Sequence, residues 1–166
     1  MRLLVSNPSI LVALEQVDLL KTLFALPMEV SVTDFLYERE LRNYGGQELL
    51  KLGLQIQVLN PRMTTLVTQY CRNVPTLSRD EAFTFVLAQE HNFVLLTINP
   101  DLVRLAEAKS IDHYPLSSVF NLMLAQSLIA QNSLVQRLSG TAATTRCPLV
   151  RREAEVCLSN LSQYHF

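Results

Sequence analysis

The chain has 166 residues, the size of one domain, with 49% hydrophobic and 17% charged residues; this balance excludes intrinsic disorder and supports a core of its own. Fourteen lysines and arginines against fifteen aspartates and glutamates leave a net charge of −1, so bulk charge does not draw the chain onto nucleic acid, and any such contact needs a local basic patch. Cys71, Cys147 and Cys157 are odd in number and form no Cys-x-x-Cys pair, which excludes a disulfide framework or zinc knuckle and suits a reducing cytosol.

At the amino end, Leu3-Leu4-Val5 predicts a first buried strand, broken by Ser6-Asn7-Pro8 and too short for a signal-peptide core. Ile10, Leu11, Leu14 and Val17, then Leu19, Leu20, Leu23 and Phe24, follow helical spacing. Glu29–Val32 predicts a second strand, Tyr44-Gly45-Gly46 a flexible turn, and Leu54–Leu59 a third strand. Asn60-Pro61 opens a helix through Met63–Tyr70. Ser78-Arg79-Asp80-Glu81 is a capping box before Ala82, Phe83, Val86 and Leu87. Phe93–Thr97 predicts a fourth strand, followed by helices over Leu102–Lys109 and Leu116–Gln131. A loop at about 139–147, with Gly140, Thr141, Thr144 and Thr145, precedes a last helix over Pro148–Leu161. Strands alternating with helices predict an α/β fold: a three-layer α/β/α sandwich around a central, mainly parallel sheet, one domain over residues 1–166. No segment approaches the ~18 apolar residues of a membrane span; the longest candidate, Val119 to Ala130, is interrupted by Asn121, Gln126 and Ser127. The expectation is a soluble, cytoplasmic protein.

In open parallel sheets, ligands gather where strand carboxyl ends meet helix amino ends. Two such junctions are nearly alike: Val5-Ser6-Asn7-Pro8 and Leu96-Thr97-Ile98-Asn99-Pro100. Asn followed by Pro is a good helix start in its own right, yet both side chains also face the same end of the sheet.

From here the sequence resembles the PIN domain family. Val5 to Leu14 looks like its opening strand and helix, where an Asp ends the strand. Leu77-Ser78-Arg79-Asp80-Glu81-Ala82 looks like its central Gly-Glu-Ala-type segment. Phe93 to Asn99, with Leu102, Arg104, Leu105 and Ala106, looks like its Leu-Leu-Thr-x-Asp-x-x-Leu-Arg-x-x-Ala segment, and the likeness runs on through Leu116–Ala130 into the final helix. It is nearest to the bacterial and archaeal branch related to the VapC toxins. The resemblance implies a metal-dependent ribonuclease fold in which several carboxylates hold Mg²⁺ or Mn²⁺, hard cations that favour oxygen ligands and activate a water.

The sequence departs from that pattern. The first and last acids fall on Asn7 and Asn99, and the helix acid after the second strand falls on Arg39, between Glu38 and Glu40. Only Glu81 matches cleanly, with Asp80 beside it. Each lost carboxylate is worth on the order of 4 kcal/mol to a unit charge 4 Å away at an effective dielectric of about 20, before desolvation. The implied metal set is Asn7, Glu38, Glu40, Glu81, Asn99 and Asp101, with Glu81, Asp101 and Glu38 as catalytic candidates and Ser6 and Thr97 as substrate contacts. Against this stand plainer roles: Glu81 as the capping-box acid, Asp101 as an acid at a helix amino end, Glu38 and Glu40 on a solvated face.

His91, His113 and His165 include no i, i+4 pair, which argues against a zinc hydrolase, and there is no Gly-x-Ser-x-Gly elbow or phosphate loop. Cys71 reads as packing and Arg151-Arg152 as solvated surface. Two functions follow: a binding module whose acids have been replaced, holding RNA or a protein such as an antitoxin, or an active Mg²⁺- or Mn²⁺-dependent endoribonuclease of toxin type. The resemblance also implies a homodimer, with Val119–Ala130 as its interface unless the final helix covers that stretch.

Overall fold

The computed structural model describes residues 1–163; His165 lies outside them. The chain divides into two compact units: Met1–Pro8 with Met28–His113, and Ser9–Pro27 with Tyr114 onward.

The first unit is built on the sheet. The strands β1 (Arg2–Val5), β2 (Glu29–Thr33), β3 (Gln55–Gln57), β4 (Val94–Leu96) and β5 (His113–Tyr114, where the first unit ends) lie in the order β3-β2-β1-β4-β5. The pairings of β1 with β2, β1 with β4 and β2 with β3 are all parallel. Leu3, Leu4 and Val5 are all fully buried. Since successive side chains point to opposite faces, both faces of the sheet are covered, as an α/β sandwich requires. The helices of this unit are α3 (Asp34–Leu36), α4 (Gly46–Leu52), α5 (Pro61–Asn73), α6 (Arg79–His91) and α7 (Pro100–Ala108). Helix α6 is buried continuously from Glu81 to Ala88, which its run of Ala, Phe, Val and Leu permits on every side. It packs on β1, β2 and β4 and against α5 and α7. Leu4, Met63, Val67, Phe85, Val86, Phe93, Leu95, Leu102 and Ala106 belong to one apolar cluster, with half-buried Cys71 packed against it. The packing role expected of Cys71 is what the structure gives.

The chain leaves α3 through a π turn, Tyr37–Leu41, in which the Arg42 amide donates to the Tyr37 carbonyl five residues back. Gly45, at a positive φ of 85°, then turns the chain into α4. The predicted turn at Gly45-Gly46 is therefore correct at Gly45, while Gly46 already lies in a helix that the sequence reading did not foresee.

The second unit is helical: α1 (Pro8–Gln16), α2 (Leu20–Phe24), α8 (Leu116–Ala125), α9 (Gln131–Thr144) and α10 (Pro148–Ser162). Two expectations are corrected here. The helix drawn over Leu116–Gln131 stops after Ala125, and Ser127 takes a left-handed φ of 55°. The loop placed at about 139–147 is helix as far as Thr144. Its hydroxyls bond back onto the helix: Ser139 Oγ donates to the Val135 carbonyl, Thr141 to Arg137 and Thr144 to Gly140. Polar residues that signal a loop in sequence are thereby satisfied without leaving the helix. Val119, Phe120 and Met123 of α8 are buried, and α10 packs on α8 within this unit. Among the described residues, no helix is long and apolar enough to cross a membrane.

Candidate functional site

Register decides what meets at the carboxyl edge of the sheet. Val5 on β1 is level with Leu96 on β4, and the Ser6 amide donates to the Leu96 carbonyl at 3.1 Å. The chain segments carrying Asn7 and Asn99 therefore leave neighbouring strands side by side. Ser6 and Thr97 are each only 1% exposed. Thr97 Oγ1 accepts from the Asn99 amide, and Ser6 Oγ is buried without a partner. Neither of these expected substrate contacts presents its side chain to solvent.

Glu81 reaches the same edge from α6. It is 6% exposed, and both its oxygens are engaged. Oε2 accepts from the Ser78 amide at 3.0 Å while Ser78 Oγ accepts from the Glu81 amide, the complete capping box. Oε1 accepts from Asn99 Nδ2 at 2.8 Å. The orientation of Asn99 is fixed from the other side, because its Oδ1 accepts from the Asp101 amide at 2.9 Å as the cap of α7. Turning the amide over would set a carbonyl oxygen against a carboxylate and an NH₂ against an N–H. Glu81 thus fills the plainer role weighed for it, capping its own helix, and in addition accepts from Asn99. Positions 81 and 99 are in direct contact.

Asp101 is paired with Arg104 one turn along α7. Glu38 is 54% exposed and bound to Arg42 at 2.5 Å. The extra residue of the π turn buries Tyr37 and Leu41 and leaves Glu38 and Arg39 outside, while Glu40 is half-buried. Among the described residues, no three of His, Cys, Asp and Glu are grouped so as to hold a metal ion.

The sequence reading missed what Arg39 does. Its Nη1 lies 3.5 Å from Asp80 Oδ1, and its guanidinium sits 5.2 Å above the Phe35 ring. Phe35 and Phe83 pack with their rings tilted by 36° and 4.5 Å between centroids, and Arg79 lies over both rings. Phe35 and Arg39 stand four apart, which was the available signal. Burial pushes the Asp80 carboxyl above its ordinary value; Glu40 and Glu81 add to that rise, and Arg39 and Arg79 oppose it. Chemically the edge is a hydrogen-bonded carboxylate–amide pair flanked by an arginine–carboxylate pair on an aromatic base.

No protein-family model matches the chain, and no curated protein matches it. Among solved structures it is similar to a PilT N-terminus domain protein from the hyperthermophilic archaeon Sulfolobus solfataricus P2, at 15% identity and a TM-score of 0.48, over 75% of this chain and 92% of that one.

Proposed function

We propose that this chain is a PIN-like cytoplasmic module that binds a macromolecular partner at its carboxyl edge and does not cleave RNA. The bond from the Asn99 amide to Glu81 carries this reading. Where the family pattern has two anionic groups turned toward a cation, this chain has a donor and an acceptor turned toward each other. Magnesium and manganese favour several oxygen ligands with their lone pairs free. Here the Asn99 oxygen is committed to the Asp101 amide and the Glu81 oxygens to Ser78 and Asn99. These residues do not suit a divalent ion, and no step of chemistry is drawn through one.

The near-neutral charge of −1 favours a protein partner over RNA, because RNA affinity comes largely from neutralising phosphates. The test is a thermal melt with millimolar Mn²⁺, paired with single-stranded RNA incubated in the same buffer. This reading expects no rise in melting temperature and intact RNA. A rise that Glu81→Ala abolishes, together with RNA cleavage, returns the assignment to a Mg²⁺- or Mn²⁺-dependent endoribonuclease using Glu81, Asp101 and Glu38 or Glu40. Retention of RNA on a filter without cleavage would make RNA the partner.

A further inference from the structure

We infer that Arg39 is the resident cation of the carboxyl edge, a guanidinium that balances its carboxylates and keeps divalent ions out even where the missing acids are restored. The inference rests on the reading above and adds a second, independent barrier to it. Asp80 and Glu81 are consecutive residues in the first turn of α6, and Arg39 reaches that turn with its Nη1 3.5 Å from Asp80 Oδ1. Arg39 is 53% exposed, yet it is not free to wander. Its guanidinium carbon lies 5.2 Å from the centre of the Phe35 ring, which is itself tilted against Phe83, and its Nη1 is 3.5 Å from Asp80 Oδ1. A flat, delocalised cation suits this seat, since it can lie on a ring with one face and donate from its rim. The position matters as well: Arg39 stands where an ungapped reading of the family pattern has an acid. On that resemblance, position 39 holds a positive charge where the pattern holds a negative one. A second cation brought to Glu81 would lie one residue along the chain from the carboxylate that holds this fixed charge, and the repulsion is twice as large for a divalent ion as for a monovalent one.

Calorimetric titration with Mn²⁺ separates this claim from the one it rests on. Four proteins are compared with the unmodified chain: Asn99→Asp, Asn99→Asp with Arg39→Gln, Asn7→Asp, and Asn7→Asp with Arg39→Gln. The Asn7 pair leaves the Glu81–Asn99 bond intact and covers the case in which Asn99→Asp unfolds the protein. Within at least one pair, removing Arg39 is expected to tighten Mn²⁺ binding by about tenfold or more. Equal affinity with and without Arg39 overturns the inference, as does absence of binding in all four. Saturable binding by the unmodified chain instead overturns the proposed function, and leaves Arg39 to be judged by the ratios.

Discussion

Asn99 shows how much a single atom decides at this edge. Its oxygen serves the helix and its nitrogen serves Glu81, so an aspartate could keep the cap but would turn an oxygen toward Oε1 at the 2.8 Å now spanned by a hydrogen bond. Asn99→Asp is expected to destabilise the protein by about 1–3 kcal/mol at pH 7, the cost of a buried acceptor left unpaired. Two carboxylates so close share a proton, which raises the folded-state pKa of the pair above its unfolded values. The loss should therefore shrink as pH falls, and urea midpoints at pH 7 and pH 5 check it; an equal deficit at both would deny the contact. Asp80 is a milder instance. Its folded pKa is raised above the ordinary 3.8, chiefly by burial. It therefore contributes stability below about pH 4 that fades as pH climbs through its folded value. Asp80→Asn should flatten that part of the stability profile. Of this geometry, the meeting of positions 81 and 99 was expected only through the family resemblance; the strand end and the capping box place each residue in its own element but not beside the other. The work of Arg39 was not expected, because its spacing of four from Phe35 is the one signal present, and that spacing alone does not tell a solvated face from a seat beside a ring.

At the scale of elements, the π turn and the helix after it depend on a glycine. A Cβ on Gly46 would lie 2.7 Å from the Leu41 carbonyl oxygen and 3.0 Å from Tyr37 Cε2, so backbone would have to move. Gly46→Ala is expected to lower stability by about 1–3 kcal/mol, with the release of Tyr37 visible in its fluorescence. Gly140 is the reverse case. It lies inside α9, and a Cβ there would meet Val17 Cγ1 at an ordinary 3.6 Å. Gly140→Ala should therefore stabilise by about 0.5–1 kcal/mol, the difference in helix preference, as chemical denaturation would show. Both glycines read as loop signals in the sequence. One of them opens a helix against a crowded π turn and the other sits inside a helix whose hydroxyls bond inward. Glycine reads as a flexible point in either setting, and only the surroundings of each tell a crowded position from an open one.

Across the whole molecule, the sheet was the most legible part: β1, β2 and β4 stand out as apolar or alternating runs between turn signals, whereas β3 is Gln-Ile-Gln, three residues where the sequence predicts a strand over Leu54–Leu59. The fifth strand, His113–Tyr114, is two residues of a half-buried edge and has no periodicity to read. The division into two units was not legible either, because each draws on separated stretches of chain and nothing in composition marks the crossings. The three free thiols report on the molecule as a whole. Cys71 and Cys147 are half-buried, whereas Cys157 is 2% exposed on α10, and burial with the nearby Glu153 pushes its thiol up to about 11. The thiolate is the reactive form, so at pH 8 Cys157 is protected twice, by access and by charge. A thiol reagent should label Cys71 and Cys147 first and reach Cys157 only when the helical unit opens, at a rate set by its stability. If so, Gly140→Ala, by strengthening the helix that packs on α10, should slow Cys157 labelling by about two- to fivefold and leave the other two rates unchanged. Labelling of all three at one rate would mean that Cys157 is reached without opening.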